Sequence, residues 1–246
     1  MINELEKIFL DKRGYVIADL KDETVCVMYS GGMDSTILIA RLLEEYGCRI
    51  IPVFIKRGAR AELFEEMSYD YFVEYFKNKY PKRILESKKI TCNIPPRDLK
   101  KNYPPAILGT LGYPLRDSQI IQMGVLYCKY LEYNKDIKVR IILAASIAND
   151  PFYHSHKEAF RLLNLLVCYD TQDWTWQLYS PFIEGTFGTV RKEDLIKWAV
   201  STGLPLEKTR TCINSLEKAC RICPECKWRN DAFKEAGIID PIVQEV

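Results

Sequence analysis

The chain has 246 residues, 48% apolar and 28% charged, with 35 Lys and Arg against 33 Asp and Glu. This composition suits a soluble globular protein of one or two domains, and a net charge of +2 argues against a protein that coats nucleic acid. No apolar run approaches the roughly 18 residues of a membrane span. The N-terminal MINELEKIFLDKRG lacks the apolar stretch of a signal peptide, so the sequence predicts a cytoplasmic chain whose nine cysteines are not a disulfide framework.

In chain order, residues 25–29 read as a short apolar strand, 30–35 as a glycine loop, and 36–46 as a helix. Ile37, Leu38, Leu42 and Leu43 form the apolar face of that helix, and Gly47 ends it. Residues 49–55 predict a second strand, and Glu62–Lys79 a helix whose aromatic side (Tyr69, Phe72, Phe76) suits core or a subunit interface. A further strand falls within 84–92, and the Pro- and Gly-rich stretch 93–114 reads as a loop. Helices follow at 118–131 and 158–166, and strands at 139–145 and 174–181. An amphipathic helix at 192–202 stops at Gly203-Leu204-Pro205, and a last helix covers 229–236. Strand alternating with helix, with strands apolar on both faces, predicts an α/β fold: a parallel sheet with helices on both faces over 1–190, then a helical segment over 191–246.

The cysteines divide by spacing. Cys26, Cys48, Cys92, Cys128 and Cys168 are scattered and read as small buried hydrophobes. Cys212, Cys220, Cys223 and Cys226 follow C-x7-C-x2-C-x2-C, which predicts four thiolates closing a structural zinc site. A redox C-x-x-C pair is the livelier rival, but it would normally follow a strand in a thioredoxin-like unit, and charged, helix-prone sequence surrounds this one. Iron–sulfur ligation is a third option.

Ser30-Gly31-Gly32-Met33-Asp34-Ser35 joins the first strand to a helix, the position in a parallel sheet where ligands bind. Glycines permit close backbone approach, and exposed N–H groups at a helix N-terminus attract phosphate. The spacing is not that of a Walker loop.

The same six residues resemble the S-G-G-x-D-S signature of the PP-loop ATP pyrophosphatases, which cleave ATP between the α- and β-phosphates and adenylate a substrate oxygen. Within that superfamily, Thr209-Arg210-Thr211-Cys212, Cys220, Cys223, Cys226, Arg229, Ala232-Phe233, Ala236-Gly237 and Asp240-Pro241 resemble the C-terminus of the QueC-type 7-cyano-7-deazaguanine synthases. The resemblance implies a PP-loop fold of the adenine-nucleotide α-hydrolase kind with a C-terminal zinc-binding segment. It implies ATP, Mg²⁺ and Zn²⁺ as cofactors. It also implies an AMP- and pyrophosphate-forming ligase that adenylates 7-carboxy-7-deazaguanine and passes the acyl group to ammonia, giving an amide and then a nitrile. Ser30, Gly31, Gly32, Asp34, Ser35 and Thr36 would cradle the pyrophosphate, with Asp34 either capping the helix or approaching Mg²⁺. Lys192 would reach the phosphates. Gly58 and Arg60 match a family stretch after the second strand, and Arg116 matches a P-x-R-N motif in which Asp117 replaces Asn. The resemblance further implies a homodimer.

The middle of the chain departs from that pattern. Where the synthases carry D-Y-x-x-Y-P-D-C beside the nucleobase, this chain has 149–156, with Ser155-His156 in place of Asp-Cys. Asp150, Tyr153 and His156 are the candidate substrate residues there, Asp173 is a possible substitute carboxylate, and His154 and His156 are the only histidines. Loss of polar partners changes substrate choice. One alternative is therefore a paralogue, of the kind found in bacterial antiviral defence islands, that couples the deazaguanine acyl group to a protein amine. A second is a tRNA-modifying sulfurtransferase, which the near-neutral charge and the absence of an appended nucleic-acid module disfavour.

Overall fold

The computed structural model describes residues 1–104, 112–148, 152–188 and 190–243. Five strands, β1 (Thr24–Met28), β2 (Arg49–Lys56), β3 (Lys88–Thr91), β4 (Ile141–Leu143) and β5 (Gln177–Tyr179), form one sheet in the order β3-β2-β1-β4-β5. Every pairing is parallel, with Cys26 opposite Ile51 on one side and Ile142 on the other. The strand order reverses at β1. The carboxyl ends of β1 and β4 therefore border the crevice that a doubly wound sheet leaves for a ligand.

Strand side chains alternate between two cores. Val25, Val27, Ile50, Phe54 and Leu143 pack with helices α2 (Met33–Glu45) and α3 (Glu62–Lys79). Cys26, Met28, Val53 and Ile142 pack on the opposite face with α1 (Ile2–Arg13), α5 (Arg116–Lys135) and α6 (Lys157–Thr171). Both faces are covered, so β1 is buried from Val25 to Met28, as an apolar run in a parallel sheet requires. Each aliphatic side chain so buried contributes about 1.5–3 kcal/mol. A short helix α4 (Arg97–Lys100) interrupts the stretch read as loop, and α7 (Pro181–Glu184) follows β5.

The C-terminal segment does not stand apart. Leu195, Ile196 and Ala199 of α8 (Lys192–Ser201) and Ala232 and Phe233 of α9 (Pro224–Ala236) belong to the same core as α2 and α3. Among the described residues no helix is long and apolar enough to cross a membrane.

Several elements differ from the sequence reading. α1 falls on residues the reading left without structure. It is held by Phe9, which is fully buried, and by Arg161 of α6, whose guanidinium binds Glu6 of α1 and Glu184 of α7 at 2.9 Å each. α2 starts at Met33 rather than 36, so Asp34 and Ser35 lie in its first turn and not in a loop. The aromatic side of α3 is core: Tyr69, Phe72 and Phe76 are buried. Of the five scattered cysteines, Cys26, Cys48, Cys128 and Cys168 are buried and Cys92 is half-buried.

Candidate active site

The turn between β1 and α2 is shaped by its own hydroxyls. The carbonyl of Gly32 accepts from the Ser35 hydroxyl (3.1 Å) and the Thr36 hydroxyl (2.8 Å), and the Gly32 N–H donates to Ser30 Oγ (3.3 Å). Thr36 Oγ1 also meets the Tyr29 hydroxyl at 3.0 Å and is fully buried, so it braces the turn from beneath. Ser30, Gly32, Asp34 and Ser35 line a cleft of about 980 Å³. Gly31 faces the other way. At φ +73° it lies against α3, where an added Cβ would come within 2.6 Å of the Glu65 carbonyl and 2.7 Å of the Tyr69 nitrogen.

Asp34 does not cap α2. The N-cap is Gly32, without a side-chain bond. One carboxylate oxygen, Oδ2, lies 3.2 Å from Lys192 Nζ, and the other, Oδ1, is buried with no hydrogen-bond partner. Lys192 is the first residue of α8, whose start is fixed where the Arg191 N–H donates to Asp194 Oδ2 at 3.1 Å. The pair thus joins two helices across the cleft lining. An orphaned carboxylate oxygen beside an ammonium suits a Mg²⁺–triphosphate: Mg²⁺ is held by one or two carboxylates and substrate oxygens, and a lysine answers phosphate as a point charge.

Further round the cleft, β2 delivers Arg57, which pairs with Glu65 at 2.9 and 3.1 Å. From α5, Arg116 grips Asp117 through both carboxylate oxygens (2.7 and 3.1 Å), and Asp117 Oδ2 lies 2.6 Å from His154 Nε2. Burial alone would raise the Asp117 carboxyl; the bonds from His154 and Arg116 outweigh it and hold the group well below the usual carboxylate range.

The sulfurs of Cys212, Cys220, Cys223 and Cys226 all lie within 4.8 Å of one another. Tetrahedral zinc, with Zn–S near 2.3 Å, needs sulfurs about 3.8 Å apart, so the four fit it. The N–H groups of Ile222 and Cys223 pull the Cys220 thiol down to about 6, whereas burial and then Cys223 push Cys226 up. Around this cluster Arg210 donates to the carbonyls of Cys212 (3.0 Å), Asn214 (2.6 Å), Leu216 (2.7 Å) and Glu217 (3.1 Å). Buried Arg229 spends its guanidinium on Asp240 (2.7 and 2.9 Å), Thr209 (2.8 Å), Thr211 (3.2 Å) and the Leu206 carbonyl (3.0 Å). That satisfies a charge which would otherwise be costly to bury.

The family profile described as queuosine biosynthesis protein QueC matches residues 24–237, most of the chain. The chain belongs to the QueC family. It is similar to the 7-cyano-7-deazaguanine synthase of Acetivibrio thermocellus, 30% identical over 234 residues, covering 88% of this chain and 95% of that one. It is also similar to the synthase of Koribacter versatilis, 25% identical over 227 residues (88% and 91%). Among solved structures, the U34-tRNA thiolase NcsA of Methanococcus maripaludis aligns over 95% of this chain and 72% of its own, with TM-score 0.45 and 13% identity.

Within this QueC-family chain the structure brings together Ser30, Gly32, Asp34, Ser35, Arg116 and Lys192 around one cleft. Gly31 and Thr36 support the turn from behind. Gly58 and Arg60 do not line the cleft: the Gly58 N–H donates to Glu62 Oε2 (2.6 Å), and Arg60 reaches Asn214 Oδ1 (3.3 Å) beside the cysteine loop. Arg57, their neighbour at the end of β2, lines it instead; its place just past a strand's carboxyl end was the signal. Of the substrate candidates, Asp150 lies outside the described residues. Tyr153 is 79% exposed and His156 precedes α6; neither lines the cleft, whereas His154 between them does. Asp173 is remote, bound to Arg140 at 2.6 Å, so Asp117 is the carboxylate that the cleft holds near that segment.

Proposed function

We propose that this chain is an ATP-dependent ligase that releases AMP and pyrophosphate, adenylating the carboxylate of 7-carboxy-7-deazaguanine and passing the acyl group to ammonia to give the amide, whose oxygen a second ATP then activates so that it leaves with AMP and the nitrile forms. The observation that carries this reading is the unpartnered Asp34 Oδ1 beside Lys192 at the carboxyl end of β1, in the cleft that also holds Ser30, Gly32 and Ser35. On this reading the Gly32 turn and Lys192 orient the triphosphate and offset charge developing on the α-phosphate, and Asp34 holds Mg²⁺, which supplies Lewis-acid neutralisation of the phosphates. Cys212, Cys220, Cys223 and Cys226 hold Zn²⁺ as a closed structural site.

A protein amine in place of ammonia is the second reading. It is supported by the wall that α9 turns to the cleft, where Glu225, Asp231 and Glu235 stand with Trp228, an acidic and aromatic surface suited to a cationic amine. Incubation with ATP, 7-carboxy-7-deazaguanine and either ammonia or candidate protein acceptors, followed by mass spectrometry, tests both. A nitrile with AMP and pyrophosphate supports the first, and a mass-shifted protein in place of the nitrile supports the second. No AMP release with this acid and either acceptor rejects the ligase.

A further inference from the structure

The contact between Asp117 and His154 is not explained by nucleotide binding. His154 lies in the short 3₁₀ turn Tyr153–Ser155, closed by the Ser155 N–H to the Phe152 carbonyl (2.9 Å) and the His156 N–H to the Tyr153 carbonyl (3.1 Å). Its ring stacks on Phe152, with centroids 5.3 Å apart and 10° between planes, and its edge meets Asp117. Asp117 is in turn fixed by two bonds from Arg116 and stands in the first turn of a 20-residue helix, where the dipole favours its negative charge. A histidine held by stacking and by an oriented carboxylate has one tautomer. With Nε2–H donating to Asp117, Nδ1 carries the lone pair. This is the arrangement in which a carboxylate orients a histidine base and stabilises the imidazolium it becomes.

Resting on the ligase reading above, we propose that His154 is the general base of the acyl-transfer half-reaction and Asp117 its positioning residue. As the amine nitrogen attacks the carbonyl carbon of the acyl adenylate, the C–N bond forms and Nδ1 takes the nitrogen's proton. The tetrahedral centre then collapses, the C–O bond to AMP breaks, and AMP leaves with that electron pair. The imidazolium afterwards returns its proton to water. Adenylation needs no such base, because an ionised carboxylate is already a nucleophile. The two half-reactions therefore make different demands on the cleft, with Asp34 and Lys192 serving the first and the Asp117–His154 pair the second. Where the resemblance places Asn in the family motif, this chain has a carboxylate, and only a carboxylate offsets the imidazolium charge.

Half-reactions measured separately test this. ATP–pyrophosphate exchange with 7-carboxy-7-deazaguanine reads adenylation. Amide formation with ammonium reads transfer. Hydroxamate formation with hydroxylamine, a weakly basic nucleophile whose nitrogen gives its proton to water once it has attacked, reads transfer that needs no base from the protein. His154→Gln is expected to keep exchange and hydroxamate formation within about threefold while ammonia transfer falls about 10²-fold or more, the usual contribution of a general base. Added imidazole should restore part of that loss. Asp117→Asn should show a smaller fall, also confined to ammonia transfer. Equal losses in all three assays, ammonia transfer unchanged in His154→Gln, or a raised KM for the carboxylate with kcat intact would each overturn the base assignment while the ligase reading stands. Absence of exchange in the unaltered chain would overturn the ligase reading itself, and the base assignment with it.

Discussion

The backbone N–H of Arg210 donates to the carbonyl of Gly31 at 3.0 Å. The Ser68 hydroxyl lies 2.7 Å from the same carbonyl and 2.8 Å from that of Lys208. The glycine turn is thus tied to the strand of chain that leads into the cysteine cluster, and the Arg210 guanidinium in turn gathers the carbonyls of residues 212–217. Two features far apart in sequence share one framework: whatever orders the cysteines also orders the wall of the cleft beside the glycine turn.

Removal of the proposed Zn²⁺ should therefore be felt at the cleft. Four thiols packed within 4.8 Å repel once ionised, and binding energy at such sites is folding energy. Stripping the metal with a chelator is expected to open 212–226 to limited proteolysis and to weaken ATP binding about tenfold, as read by calorimetry. Unchanged ATP affinity, with elemental analysis proving the metal gone, would break the link.

Gly31→Ala tests the other end of the same framework. The residue sits at φ +73°, and its new methyl would lie 2.6 Å from the Glu65 carbonyl on α3, a backbone atom that cannot rotate aside. Left-handed strain and overpacking each cost about 1–3 kcal/mol, so a loss of about 3 kcal/mol in chemical denaturation is expected. Gly32→Ala, with a β-region φ of −73° and no backbone contact nearer than 3.5 Å, should cost less stability and more ATP affinity.

Legibility in the sequence followed how locally each feature is encoded. The glycine turn, Asp34 and the four cysteines could be read because their chemistry is confined to six and fifteen consecutive residues, where spacing alone limits geometry. The sheet was readable where its strands are apolar runs, as in β1, β2 and β4, and less so at the edge strand β3, which carries Lys88 and Lys89. The helix α1 was not, although its apolar spacing matches that of α8, because it buries only Phe9 and is otherwise tied down by the contact of Glu6 with Arg161. His154 could not be told from His156. They are one residue apart, and only the 3₁₀ turn decides which of them meets Asp117, thirty-seven positions earlier. Arg57 stayed hidden behind Gly58 and Arg60 for the same reason: a strand's final twist decides which neighbour faces the cleft.

Lys192 and Asp34 meet at 3.2 Å, and each is expected to matter to the nucleotide rather than to the fold. Lys192→Met should leave thermal unfolding within a few degrees of the unaltered chain and lower kcat/KM for ATP about 10²-fold, as expected when a charge aimed at the developing negative charge is removed. The double variant with Asp34→Asn should be far from additive, because the two side chains are in contact and the proposed function has both act on one triphosphate. Full additivity in steady-state kinetics would place them in separate steps.

Asp173 gives a pH-dependent prediction away from the cleft. Burial alone would raise its carboxyl. Bonds from the Thr175 hydroxyl and N–H (2.5 and 2.9 Å) and from Arg140 (2.6 Å) outweigh that and bring it down to about 2. A carboxyl depressed in the folded state stabilises the protein above its unfolded value, near 3.9, and that contribution is lost as pH falls toward the folded value. The side chain is about a quarter exposed, so solvent screening reduces the effect to about 1–2 kcal/mol. Asp173→Asn should therefore destabilise the chain by that amount at pH 7 in urea titrations. The difference should hold down to about pH 5 and shrink between about pH 4 and pH 2, because only the unaltered chain has an anion to lose. A difference that grew on acidification would show the carboxylate to be unfavourable where it stands, reversing the sign assigned to its contact with Arg140.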